Sequence, residues 1–383
     1  MSFDCWITSN SPGEVTAWVG GVVPWLKRHR PDWHLRLALV PCPYASGTEP
    51  SVARQLAQID DVLSPWQTTL TWLSLASLRP PPAAQGVVLF LGGDPWHALL
   101  LGKKLGYPTA GYFEKPSLWS RWFRWRASAY ALAGCDEVGN LMVDRLPPRS
   151  PTRSGPCRIG LFPGSRGWQA RLTLGPMLAC VAELRRRWGE QVDCQVIQSP
   201  FLPLHSLQRA LDAPYPLGLP CLPGKVEPTR ICTERFDVGI LPGNPETLGQ
   251  LDLALTIPGT NTAELACAGI PFVTLLHPLA FLGGGGLRGL VERLPLPATW
   301  KAPMRRAKQR RLRFTALPNQ VAGRFLVPEV VLDRSMEPVT EILGHWIEDA
   351  ESRHSVAQQL VGAMGRPGAC QRLANWLIEK IDG

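Results

Sequence analysis

Short, almost continuous apolar runs recur along the chain, separated by longer stretches with an apolar residue every three or four positions. CWIT (5–8), LRLALV (35–40), VVLFL (87–91), RIGLF (158–162), CQVIQ (194–198), DVGIL (237–241), LALT (253–256) and PFVTLL (271–276) have the length and composition of buried strands. They lack the polar alternation of a one-sided sheet, which predicts parallel strands covered on both faces. Val15, Trp18, Val19, Val22 and Leu26 fall at helical spacing, with Pro24 expected to kink that helix. Met177, Val181, Leu184 and Trp188 repeat the pattern in the second half, and CQRLANWLIEKI is the last amphipathic stretch. The class is α/β throughout.

The periodicity lapses at LPPRSPTRSGP (146–156), where Pro, Arg and Ser take over. A linker there separates a domain over 1–150 from one over 151–367, with a terminal helix at 368–383 expected to pack back on the first. GGGG (283–286) and MRRAKQRRLRF (304–314) fit no element interior and read as parts of a long surface excursion. The most apolar stretch, GVVLFLGGDPWHALLL, is broken by Asp94 and His97 short of the ~18 clean residues of a spanning helix. The N-terminal residues lack the basic and long apolar regions of a signal peptide.

At 383 residues and 45% hydrophobic content, two packed domains fit the chain and disorder does not. Lys and Arg number 40 against 31 Asp and Glu, a net +9 that favours polyanionic partners such as phosphorylated ligands, nucleic acid or an anionic membrane. The basic residues match no recognised nucleic-acid-binding module, so nucleic acid is not the expected partner. The ten cysteines form no C-x-x-C pair, and the seven histidines no H-E-x-x-H. A zinc site or disulfide framework is therefore not expected, and reduced thiols in a cytosolic protein are.

Candidate chemistry gathers where the strands end. TSNSPGE, GGD, PGSR, LPGN and PGTNT each follow a strand, and open parallel sheets bind ligands at those carboxyl ends. In IPGTNTAEL, Thr260, Asn261 and Thr262 are good N-cap types, and Glu264 falls in the first helical turn. Such a helix start offers free N–H groups and about half a positive charge to an anion, or is simply a capped helix. Neither a Walker A lysine nor a G-x-G-x-x-G occurs in the right context. Arg166 of PGSR suits a diphosphate clamp, and Asp94 is placed either to accept a proton or to cap the helix that follows.

SPGE (11–14), GGD (92–94), KPSLWSRW (115–122), LFPGSR (161–166), PGTNTAELACAGIP (258–271), LPNQVAGRFLVPE (317–329) and MGRPGACQRLANWL occur in this order. Their combination resembles the lipid-A-disaccharide synthase family from end to end, with LPN-x-x-AGR-x-x-x-PE its most specific part. The resemblance implies the GT-B fold, in which two Rossmann-like doubly wound parallel-sheet domains face each other across a cleft. It also implies an inverting glycosyltransferase using a UDP-sugar, a lipid acceptor and no metal or other cofactor. By similarity, Ser165, Arg166 and the Gly259, Thr260, Asn261, Thr262 turn hold the diphosphate, and Glu264 reaches the ribose. Asn319 and Arg324 line the cleft; Asp94 is the base, and Glu14 the next candidate.

One motif departs from the family. Its first turn reads GE-x-SGD, whereas here Glu14 is followed by VTAW, so Trp18 stands where an Asp is expected. That marks a divergent branch with an altered acceptor. In SLWSRWFRWRA, Trp119, Trp122 and Trp125 are spaced as one helical stripe, with Arg121 and Arg124 off it. An interfacial helix is expected there, and the basic run 304–314 is expected to dock on an anionic leaflet at the cytosolic face. A UDP-sugar epimerase of the same fold and a non-enzymatic basic nucleic-acid- or membrane-binding protein are the rival readings.

Overall fold

The computed structural model describes residues 3–10, 14–41, 49–56, 58–74, 81–145, 155–213, 221–277, 314–332 and 335–383. The GGGG segment, the basic residues of 304–313 and most of the 146–156 linker lie outside the described residues. Two compact units emerge: Met1–Arg145 together with Gly365–Gly383, and Leu146–Met364.

The first unit is built on β1 (Phe3–Ser9), β2 (Trp33–Leu39), β3 (Asp61–Leu63), β4 (Gln85–Phe90), β5 (Thr109–Phe113), β6 (Trp125–Ser128) and β7 (Asp136–Glu137). They form one sheet in the order β3-β2-β1-β4-β5-β6-β7, every pair parallel. Thr8 is level with Ala38 on one side and Phe90 on the other, so β1, β2 and β4 end together. Leu37, Ala38 and Leu39, like Val87, Val88 and Leu89, are buried in succession on both faces, which is why these runs carry no polar alternation.

A π-helical turn, Glu14–Val19, leads into α1 (Gly20–His29), which continues through Pro24. The irregularity expected at the proline thus appears one turn upstream, as a widened helical turn. Trp18 is 8% exposed and meets Tyr112 edge-on, ring centroids 5.6 Å apart. The departure from the family's first turn assigned Trp18 to the acceptor; the structure places it in the core, where its helical spacing with Val15 and Val22 puts it. Helices α2 (Glu49–Ala53), α3 (Pro65–Leu73) and α4 (Pro95–Leu105) follow β2, β3 and β4.

The terminal helix Ala369–Asp382 belongs to this first unit. A β-carbon built on Gly21 of α1 would stand 2.6 Å from Cys370 Sγ, so a glycine is what lets the two helices approach. Trp376 Nε1 donates to Asp136 at 2.7 Å, Arg30 to Asp382 at 2.8 Å, and the Cys370 amide to Asp144 at 2.6 Å.

The second unit contains β8 (Cys157–Leu161), β9 (Val192–Gln198), β10 (Lys225–Val226), β11 (Arg230–Cys232), β12 (Asp237–Pro242), β13 (Leu253–Thr256), β14 (Phe272–Leu276) and β15 (Glu329–Val331). Their order is β10-β11-β12-β9-β8-β13-β14-β15, antiparallel only at the β10-β11-β12 edge. Leu174, Met177, Val181 and Leu184 of α5 (Gly167–Trp188) pack on Ile159, Leu161 and Val196 in its core. Helices α6 (Leu204–Asp212), α7 (Pro245–Leu248) and α8 (Thr260–Cys267) continue the alternation.

The tryptophan stripe is overturned. Ser120–Trp122 is a single 3₁₀ turn, and Trp125 opens β6, paired with Ala110 of β5. Sheet pairing claims the segment that helical spacing alone had assigned to an interfacial helix. Trp119 and Trp122 are nevertheless exposed, at 46% and 64%.

Candidate active site

In the first unit, the carboxyl ends of β1, β4 and β5 bring acidic side chains together. The chain leaves β4 through Leu91, Gly92 and Gly93, and Asp94 starts α4. Gly92 is required by its neighbours: a β-carbon there would lie 2.2 Å from Glu14 Oε2 and 3.1 Å from Ser9 Oγ. The Gly93 amide donates to Glu14 Oε2 at 3.2 Å, which fixes that carboxylate at the edge. Asp94 occupies the N-cap position but makes no side-chain capping bond, and its side chain is exposed. The alternative of an ordinary capping aspartate is therefore not what the geometry shows.

His97, one turn on, is buried against Trp96 and Trp72, with centroids 3.7 and 4.8 Å away. Burial pushes its imidazole down to about 4, which keeps it neutral. Glu114, just beyond β5, was missed by the sequence reading. Burial, reinforced by the Glu14 carboxylate and opposed by Lys115, pushes its carboxyl up to about 7. It stands in no capping or glycine-rich pattern, so local sequence carried no signal for it.

In the second unit, β8 and β13 are parallel neighbours, with Leu161 level with Leu255 and the Phe162 amide donating to Leu255 O at 2.8 Å. The PGSR and PGTNT turns therefore leave adjacent strands side by side. The Ser165 amide donates to Gln169 Oε1 at 3.0 Å, and Arg166 holds the N-cap position of α5. The N-cap of α8 is Gly259, not one of the hydroxyl residues expected there, and no side chain caps it. Space beside Gly259 is open, since a β-carbon built there would meet no atom within 4 Å. Thr260 and Asn261 are half-buried in the first turn, and Glu264 is buried. Thr262 is tied down: its hydroxyl donates to Gly259 O at 2.8 Å and accepts from the Leu317 amide at 3.1 Å.

Asn319 does not line a surface. It is fully buried, its amide donating to Val327 O and Glu329 Oε1 at 2.9 Å each, its carbonyl accepting from the Leu326 and Val327 amides at 2.7 and 3.0 Å. Glu329 also receives Thr315 and Ala316 amides, so the LPN and PE ends of the motif brace one another. Arg324 is exposed and donates to Gln359 Oε1 at 3.1 Å. Among the described residues no three His, Cys, Asp or Glu side chains gather as a metal-ligand set. Among them, too, no helix is long and apolar enough to cross a membrane.

No family model matches the chain. Lipid-A-disaccharide synthase of Geobacter sulfurreducens is 24% identical over 230 residues, 58% of this chain and 49% of that protein. The match thus spans about half the length of that relative. MurG of Acinetobacter baumannii superposes with a TM-score of 0.53 at 15% identity, covering 99% of this chain and 100% of that one. MnaA of S. aureus, solved with UDP, gives 0.56 at 10% identity over 100% and 97%. UDP-GlcNAc 2-epimerase from Neisseria meningitidis, bound to UDP-GlcNAc, gives 0.51 at 11% identity over 99% of each chain. The chain therefore has the two-domain α/β GT-B fold, and part of its sequence is similar to that of lipid-A-disaccharide synthase.

Proposed function

We propose that this chain is an inverting glycosyltransferase that moves a sugar from a UDP-sugar to a lipid acceptor at the inner face of a membrane. The observation that carries the reading is the pair of turns leaving β8 and β13, with Arg166 and the open α8 start on one sheet edge. The amides at the start of α8 and the Arg166 guanidinium stabilise the diphosphate as it departs, a task that needs no metal ion. In the first unit, the acidic side chains at the carboxyl ends of β1, β4 and β5 supply the base that deprotonates the acceptor hydroxyl, a role the resemblance gives to Asp94.

Exposed apolar residues support a lipid acceptor. Among the described residues of the first unit, Trp66, Trp96, Leu100, Leu118, Trp119 and Trp122 are the large hydrophobic side chains that stand exposed. They follow the carboxyl ends of β3, β4 and β5, with exposed Arg121 and Arg124 among them. Apolar rings beside cationic heads suit the lipid–water boundary.

Calorimetry with UDP in EDTA tests the donor site: binding is expected, and Arg166→Ala should weaken it at least tenfold. Affinity unchanged by that substitution removes Arg166 from the site. A second reading, UDP-sugar epimerisation, is favoured by the shared fold of the epimerase neighbours. Incubation with UDP-sugars and lipid extract separates the two, since transfer releases UDP and epimerisation returns an isomerised UDP-sugar.

A further inference from the structure

Glu114 follows β5, the strand beside β4, and its Oε1 is buried with no hydrogen-bond partner among the described residues. Ser9 Oγ, at the end of β1, is buried and unpartnered in the same way. It faces Gly92 from the side of β1, where Glu14 Oε2 also lies. Two orphaned polar atoms thus sit at the ends of strands flanking β4. Buried polar groups are almost always paired, so unpaired ones on one functional edge point to a ligand that completes them. The charged and titratable groups facing Glu114 are the Glu14 carboxylate, the Lys115 ammonium and the Tyr112 phenol. Burial holds Tyr112 far above its ordinary range, so it stays neutral and leaves Glu14 and Lys115 as the charges Glu114 feels.

We propose that Glu114 is a further catalytic carboxylate, the group that receives the acceptor hydroxyl's proton, with Glu14 beside it as a positioning residue that sets its basicity. The inference deepens the transfer reading and rests on it. As the hydroxyl O–H bond breaks, its proton passes to Glu114 and its electron pair forms the new bond to the anomeric carbon. The bond from that carbon to the diphosphate oxygen breaks, and UDP leaves with the electron pair. Asp94, exposed at the same edge, orients the hydroxyl by accepting a hydrogen bond. A base whose burial brings it near neutrality combines proton affinity with ionisation at working pH.

The test is the pH profile of kcat/KM for Glu114→Gln, Glu14→Gln and Asp94→Asn, each checked for an intact fold by circular dichroism and a thermal melt. Wild-type activity should rise with pH through about 7, the pH at which Glu114 loses its proton. Glu114→Gln should lower turnover by roughly 10²–10⁴-fold and abolish that limb, and Glu114→Asp should restore part of the rate. Glu14→Gln should move the limb to lower pH, because the like charge that raises Glu114 is gone. If Glu114→Gln keeps turnover and limb while Asp94→Asn loses both, the base is Asp94 and this assignment is wrong. A wild-type protein that binds UDP but transfers to no lipid fraction overturns the transfer reading, and the base assignment with it.

Discussion

His97 shows how one side chain ties folding to pH. Held between Trp72 and Trp96, it is pushed by burial from an ordinary 6.5 to about 4, so the folded chain cannot take up the proton that the unfolded chain binds. Its contribution to stability is intact above pH 6.5 and drains away as pH falls towards 4, by about 2–3 kcal/mol. Glu114 acts with the opposite sign: raised from 4.5 to about 7, it favours the folded state at the acid end of that interval. Thermal melts at pH 7 and 4.5 should therefore show a smaller acid-induced loss in His97→Phe than in wild type. An identical loss in both would mean that His97 is protonated in the fold. A second residue-level expectation concerns Gly92. Gly92→Ala forces a methyl group against Glu14 Oε2, so it should displace that carboxylate and lower turnover while UDP affinity in the other unit is kept.

Among the elements, the LPN-x-x-AGR-x-x-x-PE segment changes meaning most between sequence and structure. Read as a lining motif, it is in fact a brace, in which Asn319 and Glu329 spend their polar atoms holding the backbone at 315–316 and 326–327. Asn319→Ala would leave several buried backbone groups unpaired, costing about 3–4 kcal/mol. A fall of roughly 6–15 °C in the melting temperature should follow for a domain of this size; an unchanged melt would deny the brace. Continuous apolar runs made β1, β2, β4, β8, β9, β12, β13 and β14 legible in the sequence, because burial on both faces leaves a one-dimensional signature. The others were not legible: β7 and β10 have only two residues, and β5 reads TAGYF, whose glycine interrupts the apolar run. Contact with a neighbouring strand, rather than a pattern of their own, makes these strands. Trp125 illustrates the same competition, helical by spacing and extended by contact with β5. At the candidate site, glycine-rich turns advertised PGSR and PGTNT, whereas Glu114 became visible only through its burial.

For the whole molecule, the proposed membrane contact makes a prediction for the exposed aromatic residues. Sedimentation with anionic vesicles should recover wild type and lose the Trp119→Ser, Trp122→Ser double variant. Arg121→Gln with Arg124→Gln should weaken binding roughly thirtyfold at low salt, about 1 kcal/mol for each charge. Equal recovery of all three would show that these side chains face water for another reason. The docking of Ala369–Asp382 onto α1 also orders events in time. Arg145 emerges from the ribosome about 220 residues before that helix, a wait of roughly 10–45 s at ordinary elongation rates. Throughout it, the face of α1 that will receive Cys370 stays bare while the second unit is synthesised. The first unit is thus the first to be made and the last to be finished. A released chain truncated after Met364 should carry a protease-resistant second unit and a first unit still open to cleavage and to chaperones.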